Sequence, residues 1–70
     1  MTNLEMGQKV RAKRKQLGLR QCDLADMAGV TLRGLTDMER GKANPTYNLL
    51  LKITEVLGLE ILVKEKSKRA

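Results

Sequence analysis

The spacing of the glycines is the feature that most restricts how this chain can fold. Gly18, Gly29, Gly41 and Gly58 each follow a stretch that is basic or has apolar residues at helical spacing. A glycine just after a helix readily adopts the left-handed conformation that ends it. These four positions, together with the only proline, Pro45, predict a series of short helices connected by tight turns.

The helix boundaries follow from capping residues and apolar spacing between these glycines. Thr2 and Glu5 match a capping-box pattern, and Thr31 and Thr46 are suitable N-caps for later helices. Apolar residues recur at intervals of three and four within each segment, as on one face of a helix. The predicted helices are residues 3–16, 21–28, 32–40 and 47–57.

The segment after Gly58 has a different period. Leu59, Ile61 and Val63 alternate with other residues, which is more typical of a strand than of a helix. A single strand has no partner within its own chain, and an unpaired strand edge is unstable in water. We therefore predict that residues 59–65 pair with the same strand of a second copy and that residues 66–70 form a basic flexible tail. The alternative is a short fifth helix or a frayed end.

Composition excludes several classes of function. The 70 residues include no His, one Cys and, as the only aromatic residue, one Tyr. A zinc finger needs four nitrogen or sulfur ligands, and Ser-His-Asp or Cys-His catalysis needs a histidine base. A lone aromatic side chain cannot form the stacking platform that binds single-stranded bases. We therefore expect no enzyme activity, no metal and no cofactor.

Length and hydropathy bear on location and assembly. The chain has no run of 18 apolar residues and no signal-peptide pattern, so we expect a cytoplasmic protein. A chain of this size buries only roughly 60% of its unfolded surface. With neither a disulfide nor a metal, its stability depends on well-packed helices or on a second copy of the chain.

The charge balance indicates a polyanionic partner. Fourteen Lys and Arg against eight Asp and Glu give a formal net charge of +6. Duplex nucleic acid is the first candidate for such a surplus. The charge is also uneven, because residues 9–20 contain six basic residues and no acidic one: Lys9, Arg11, Lys13, Arg14, Lys15 and Arg20.

The two short helices on either side of Gly29 form a helix-turn-helix in outline, with the small Ala25 permitting their close approach. At these positions the chain resembles the phage-repressor and Cro-like helix-turn-helix domains, often called XRE-type. The motifs that carry the resemblance are Val10-Arg11-x-x-Arg14-x-x-Leu17-Gly18-Leu19-x-Gln21, Leu24-Ala25-x-x-Ala28-Gly29-Val30-Thr31, Leu35-x-x-Met38-Glu39-Arg40-Gly41-Lys42 and Pro45-Thr46 leading to Leu49-Leu50. It covers about residues 5 to 58. It implies an all-α, lambda-repressor-like bundle of four or five helices, with residues 1–58 as the DNA-binding domain.

The resemblance implies a role for each matching position. The exposed face of the third helix would enter the major groove. The base-reading residues would be Thr31, Leu32, Arg33, Thr36 and Asp37. The phosphate contacts would be Gln21, Arg20, Arg40, Lys42 and Asn44. The alternative is an ordinary solvated helix face with one incidental apolar residue.

Arg14 and Glu39 both occupy positions where apolar residues would be expected. In the family these positions form a partly buried ion pair that ties the first helix to the end of the recognition helix. We therefore assign both residues to the structure rather than to the chemistry of recognition.

The C-terminal segment resembles the dimerising strand of HipB-like antitoxins. This resemblance implies a homodimer on a palindromic operator, a HipA-like kinase toxin as protein partner, and repression of their shared promoter. The dimer-interface residues would be Leu59, Ile61, Leu62 and Val63. We thus expect a sequence-specific transcriptional repressor. Two alternatives are a module that neutralises a toxin without reading DNA and a prophage or host XRE regulator unrelated to a toxin.

Overall fold

The structure is a computed structural model that describes residues 2–42 and 44–62. The described residues form four helices, which we number α1 (Asn3–Gln16), α2 (Gln21–Ala28), α3 (Leu32–Arg40) and α4 (Tyr47–Leu57). The predicted all-helical fold and its helix boundaries are confirmed. All four of the glycines that were predicted to end helices have φ between 70° and 73°. A residue with a Cβ atom adopts this left-handed backbone only at a cost.

Three of the helices begin at a threonine cap. The hydroxyls of Thr2, Thr31 and Thr46 each accept a hydrogen bond, of 3.0 to 3.1 Å, from the backbone N–H three residues later. Such a bond satisfies one of the amides that a helix start leaves without a partner. The Glu5 carboxylate returns a contact to the Thr2 N–H at 2.8 Å, which lowers the pKa of Glu5.

The start of α2 is different. The side chain of its N-cap residue, Arg20, contains no hydrogen-bond acceptor and so cannot cap the helix. The Asp23 carboxylate accepts instead, from the Arg20 Nε at 3.0 Å and from the Arg20 backbone N–H at 2.9 Å. These two hydrogen bonds lower the pKa of Asp23. The first turn of α2 is therefore held by an acidic residue near the helix N-terminus, where negative charge is favoured.

The hydrophobic core lies between the four helices and takes residues from each of them. Its buried members are Val10, Leu24, Ala25, Leu35, Met38, Ile53 and Leu57. Ala25 is 3% exposed, consistent with its predicted place where α2 approaches α3. Because the apolar side of α3 faces this core, the opposite side of the helix is presented to solvent.

Gly7 lies where α1 crosses α3, a role that capping and apolar spacing do not predict. A Cβ atom at this position would lie 2.7 Å from the Glu39 carbonyl oxygen and would clash with the carbonyl oxygen of Met38. The backbones of α1 and α3 therefore approach this closely only because residue 7 has no side chain.

Arg14 and Glu39 form a buried ion pair between α1 and the last turn of α3. The Arg14 Nε lies 2.7 Å from Glu39 Oε2 and the Arg14 Nη2 lies 3.0 Å from Glu39 Oε1, while the Arg14 Nη1 donates to the Leu19 carbonyl at 2.8 Å. The side chains are only 9% and 3% exposed. Hydrogen bonding to Glu39 raises the pKa of the Arg14 guanidinium further. This one contact thus joins α1, the turn before α2, and α3.

The chain after α4 folds back onto its own domain. The Leu59 N–H donates to the Thr54 carbonyl at 2.9 Å, and the Leu59 side chain packs against the core. Residues 59–62 contain neither the predicted strand nor a fifth helix, since a lone strand has nothing to pair with in one chain. Val63, the rest of the predicted strand at 59–65 and the predicted tail at 66–70 lie outside the described residues.

Two further features concern residues 2–42 and 44–62 only. None of their helices combines the length and the apolar character that crossing a bilayer requires. They also hold no group of three or more His, Cys, Asp or Glu side chains placed to bind a metal ion.

Gly7→Ala is expected to destabilise the fold by about 1–3 kcal/mol, because the added methyl overpacks the crossing of α1 and α3. Alanine is otherwise the better helix former by about 1 kcal/mol. Urea unfolding followed by circular dichroism measures the change. Gln8→Ala, on the exposed side of α1, is the matched control and should stay within about 0.5 kcal/mol of wild type. A Gly7→Ala protein more stable than wild type would contradict the close crossing.

Glu39→Ala is expected to cost about 3–5 kcal/mol, because it leaves the Arg14 guanidinium buried without a counter-charge. The same unfolding experiment measures it. Replacing both Arg14 and Glu39 by Met should recover most of the loss, since a pair of apolar residues leaves no buried charge. If Glu39→Ala melts within a degree or two of wild type, the pair does not hold α1 to α3.

Candidate nucleic-acid interface

The N-terminal half of α3 presents side chains to solvent. Leu35, Met38 and Glu39 are buried on its inner side. On the outer side, the Arg33 side chain is 91% exposed and Leu32 is 48% exposed. An exposed leucine beside an exposed arginine leaves this face available for a ligand.

The other predicted base-reading residues lie on the same helix but have additional contacts. The Thr31 hydroxyl oxygen already accepts a hydrogen bond from the Gly34 backbone N–H, which caps the start of α3. Asp37 is half-buried one turn after Arg33, with its Oδ2 3.9 Å from the Arg33 Nε. The Asp37 carboxylate therefore lies near the Nε atom of the exposed Arg33 guanidinium. The structure therefore places four of the five predicted residues in α3 and the fifth, Thr31, at its N-cap.

Beside this face lies an open groove of about 640 Å³ between α1, the start of α2 and α3. We call it the arginine groove, and its lining residues are Arg11, Arg14, Arg20, Gln21, Thr36, Glu39 and Arg40. Four of these seven residues are arginines, and Glu39 is neutralised by Arg14. A surface of this kind attracts an anion such as a backbone phosphate.

Three of the predicted phosphate contacts, Arg20, Gln21 and Arg40, line the arginine groove. The Arg20 guanidinium is also bound to Asp23, although its side chain remains 78% exposed. Lys42 and Asn44 do not line the groove. Both are exposed in the loop after α3, where the Asn44 Oδ1 accepts a hydrogen bond from the Asn3 side chain.

Gln21 connects the buried ion pair to the exposed face of α3, a link that sequence reasoning missed. Its Nε2 donates to Glu39 Oε1 at 3.1 Å, and its Oε1 lies 3.5 Å from the Thr36 hydroxyl. The residues involved are 18 and 15 positions apart in the chain. Periodicity and capping patterns describe neighbours within about one helical turn, so they carry no signal for such a link.

Arg11 also lines the groove, although the sequence patterns assigned it no contact. It precedes Arg14 by three residues on α1, a spacing that puts both side chains on one helix face. That spacing could have identified Arg11 once Arg14 was recognised as facing α3.

Comparison with known sequences agrees with this geometry. A family model described as helix-turn-helix (HTH_3) matches residues 10–63. An uncharacterized HTH-type transcriptional regulator of Sinorhizobium fredii, y4mF, is 40% identical over 60 residues, which cover 86% of this chain and 79% of the relative. The immunity repressor of Bacillus phage phi105 is 31% identical over 71 residues, covering 90% of this chain. The chain spans only 49% of the length of that repressor.

Solved structures give the same result. The restriction-modification controller protein C.AhdI from Aeromonas hydrophila superposes with a TM-score of 0.78 at 31% identity, covering 83% of this chain and 88% of its own. HipB in its complex with an O2 20mer superposes with a TM-score of 0.81, covering 96% and 93% of the two chains, but is 21% identical and so shows the shared fold alone. From the family match and from these relatives, the chain belongs to the HTH_3 helix-turn-helix family of DNA-binding transcriptional regulators and repressors, which is not a family of enzymes.

Proposed function

We propose that this chain is a sequence-specific repressor that inserts α3 into the major groove of double-stranded DNA. The observation that carries the proposal is the exposed pair Arg33 and Leu32 at the N-terminal half of α3, the helix whose Thr36 and Arg40 line the arginine groove. Helix-turn-helix proteins read base edges with this half of the recognition helix and hold the backbone on either side of it.

Base reading would use the outer residues of α3 according to their chemistry. Arg33 can donate two hydrogen bonds to the O6 and N7 atoms of one guanine, and Leu32 can pack against a thymine methyl group. Asp37 can accept from the amino group of a cytosine or hold the Arg33 guanidinium in place. Thr31 and Thr36 offer hydroxyl and methyl groups to the neighbouring bases.

Backbone contacts would fix the position of α3 without reading sequence. Gln21, Arg20 and Arg40 would hold phosphates at the arginine groove, with Lys42 and Asn44 holding the backbone beyond the end of α3. Each basic residue that neutralises a phosphate releases counterions, so affinity would fall steeply with salt concentration.

Arg33→Ala is expected to relax the preference at one or two base pairs by about 1–3 kcal/mol, whereas Lys42→Ala should weaken binding to every duplex and reduce the salt slope by about 1. Both follow from fluorescence-anisotropy titrations of a selected duplex and a random duplex at several salt concentrations. Equal effects of the two variants on both duplexes would remove the base-reading assignment.

The dimer part of the proposal concerns an apolar groove on the opposite side of α1, of about 690 Å³, which we call the C-terminal groove. Its lining residues are Met6, Lys9, Val10, Ala12, Lys13, Gln16, Leu50, Thr54, Leu59, Glu60, Ile61 and Leu62. Leu62 is 74% exposed at its edge. A second copy would supply apolar surface to cover this groove.

We assign the dimer contact to Leu59, Ile61, Leu62 and Val63, with residues 59–65 as the dimerising segment of a chain whose residues 1–58 bind DNA and whose residues 66–70 form a basic tail. Leu59 has a second role, because it also packs against the core of its own chain. A two-fold dimer would read a palindromic operator with half-sites about one helical turn apart.

Leu62→Asp is expected to convert the dimer to a monomer, because it places a charge in an apolar contact. Light scattering measures the mass, and binding to a duplex with two half-sites should weaken strongly. Met27→Asp is the matched control: Met27 is 60% exposed on α2 and does not line the C-terminal groove. A Leu62→Asp protein that remains a dimer would rule out this interface.

A HipB-like antitoxin role is supported by the likeness in fold, which extends to HipB in a HipA-HipB-O2-O3 complex. In this role the chain would bind a HipA-like kinase toxin, repress their shared promoter and act in the cytoplasm. A prophage or host regulator without a toxin has the same DNA-binding face. The identity of the adjacent gene distinguishes these two roles. If the chain instead neutralises a toxin without reading DNA, Arg33→Ala should leave toxin neutralisation unchanged.

A further inference from the structure

We propose that Gln21 is a positioning residue that restricts Thr36 to accepting a hydrogen bond from DNA, so that α3 selects a base carrying an amino group at that position. The inference rests on the proposed function and concerns one base pair within it. It starts from the hydrogen-bonded chain that runs from Arg14 through Glu39 and Gln21 to Thr36.

The orientation of the Gln21 amide follows from its partner. The Glu39 carboxylate forms an ion pair with Arg14, and a carboxylate in such a pair only accepts hydrogen bonds. The Gln21 NH₂ group must therefore face Glu39. The Glu39 Oε1 accepts hydrogen bonds from Gln21 Nε2 at 3.1 Å and from Arg14 Nη2 at 3.0 Å. With the NH₂ group on Glu39, the amide oxygen is the atom that lies 3.5 Å from the Thr36 hydroxyl.

The polarity of the Thr36 hydroxyl follows from that oxygen. The Gln21 Oε1 only accepts, so the Thr36 hydroxyl, 3.5 Å away, is the donor between them. A hydroxyl has one proton and two lone pairs. Once its proton is directed inward to Gln21, Thr36 presents only lone pairs and its methyl group to a base.

This polarity distinguishes the four bases. In the major groove adenine and cytosine carry an amino donor, at N6 and N4, whereas guanine and thymine present only acceptors for hydrogen bonds. Thr36 therefore favours adenine or cytosine on the contacted strand and repels the keto oxygens of guanine and thymine. The second N–H of Gln21 remains available for a phosphate at the arginine groove.

The experiment selects bound duplexes from a random pool and then measures affinity for all four bases at each position. Thr36→Val, which keeps the shape of the side chain but removes the hydroxyl, identifies the base pair that faces residue 36. At that pair wild type is expected to prefer adenine or cytosine by about tenfold, the value of one hydrogen bond. Thr36→Ser, which retains the hydroxyl, should keep that preference.

Gln21→Met removes the acceptor while keeping the length of the side chain, so it frees the Thr36 proton. Guanine and thymine should then bind within about twofold of adenine and cytosine at this pair, with preferences elsewhere unchanged. Gln8→Met, on the exposed face of α1, is the matched control and should leave every preference as in wild type. Gln21→Leu serves as a second variant, and thermal unfolding verifies that each protein is folded.

Two results would overturn the inference. One is a Gln21→Met protein that binds every duplex more weakly but keeps the wild-type base preference, since Gln21 would then act only on the fold or on a phosphate. The other is a wild-type preference for guanine or thymine at the pair that Thr36→Val identifies. Failure of the proposed function has a different signature, because wild type would then show no base preference at any position.

Discussion

The buried ion pair between Arg14 and Glu39 is the contact on which the rest of the arrangement depends. It joins α1 to the last turn of α3, and its third hydrogen bond reaches the Leu19 carbonyl just before α2. A buried pair of charges contributes little net stability compared with apolar residues, but losing one partner is costly. Its role here is to fix the position of α3 against α1, because the two charged groups form both of their hydrogen bonds only when the helices are correctly placed.

The same carboxylate also connects the fold to recognition. Glu39 Oε1 accepts from both Arg14 and Gln21, so an atom that stabilises the domain also orients a side chain of the proposed interface. Gly7 supports this arrangement by letting the backbones of α1 and α3 approach closely. These contacts therefore fix the position of α3 and of its outer face. Recognition of base edges requires such a fixed position, because hydrogen bonds to bases depend on distances of a few tenths of an ångström.

Several of the basic residues that give the chain its net charge of +6 are grouped on two surfaces of the structure. Arg11, Arg20 and Arg40 converge on the arginine groove, although they come from different helices or helix ends. On the other side of α1, Lys9 and Lys13 border the apolar C-terminal groove, so four of the five basic residues of α1 are divided between two surfaces. We propose the first surface for a phosphate backbone and the second for another copy of the chain.

The sequence by itself determined the four helices, three of their caps and the glycines that end them, because these depend on residues within one helical turn of each other. It also indicated, through a family resemblance, which side chains of α3 would face outward. Only the tertiary structure decided that Gly7 is the crossing point, that Leu59 packs on its own core, and that Gln21 lies between Glu39 and Thr36. The physical reason is range: these contacts join residues that are distant in the chain, and helix packing alone brings them together.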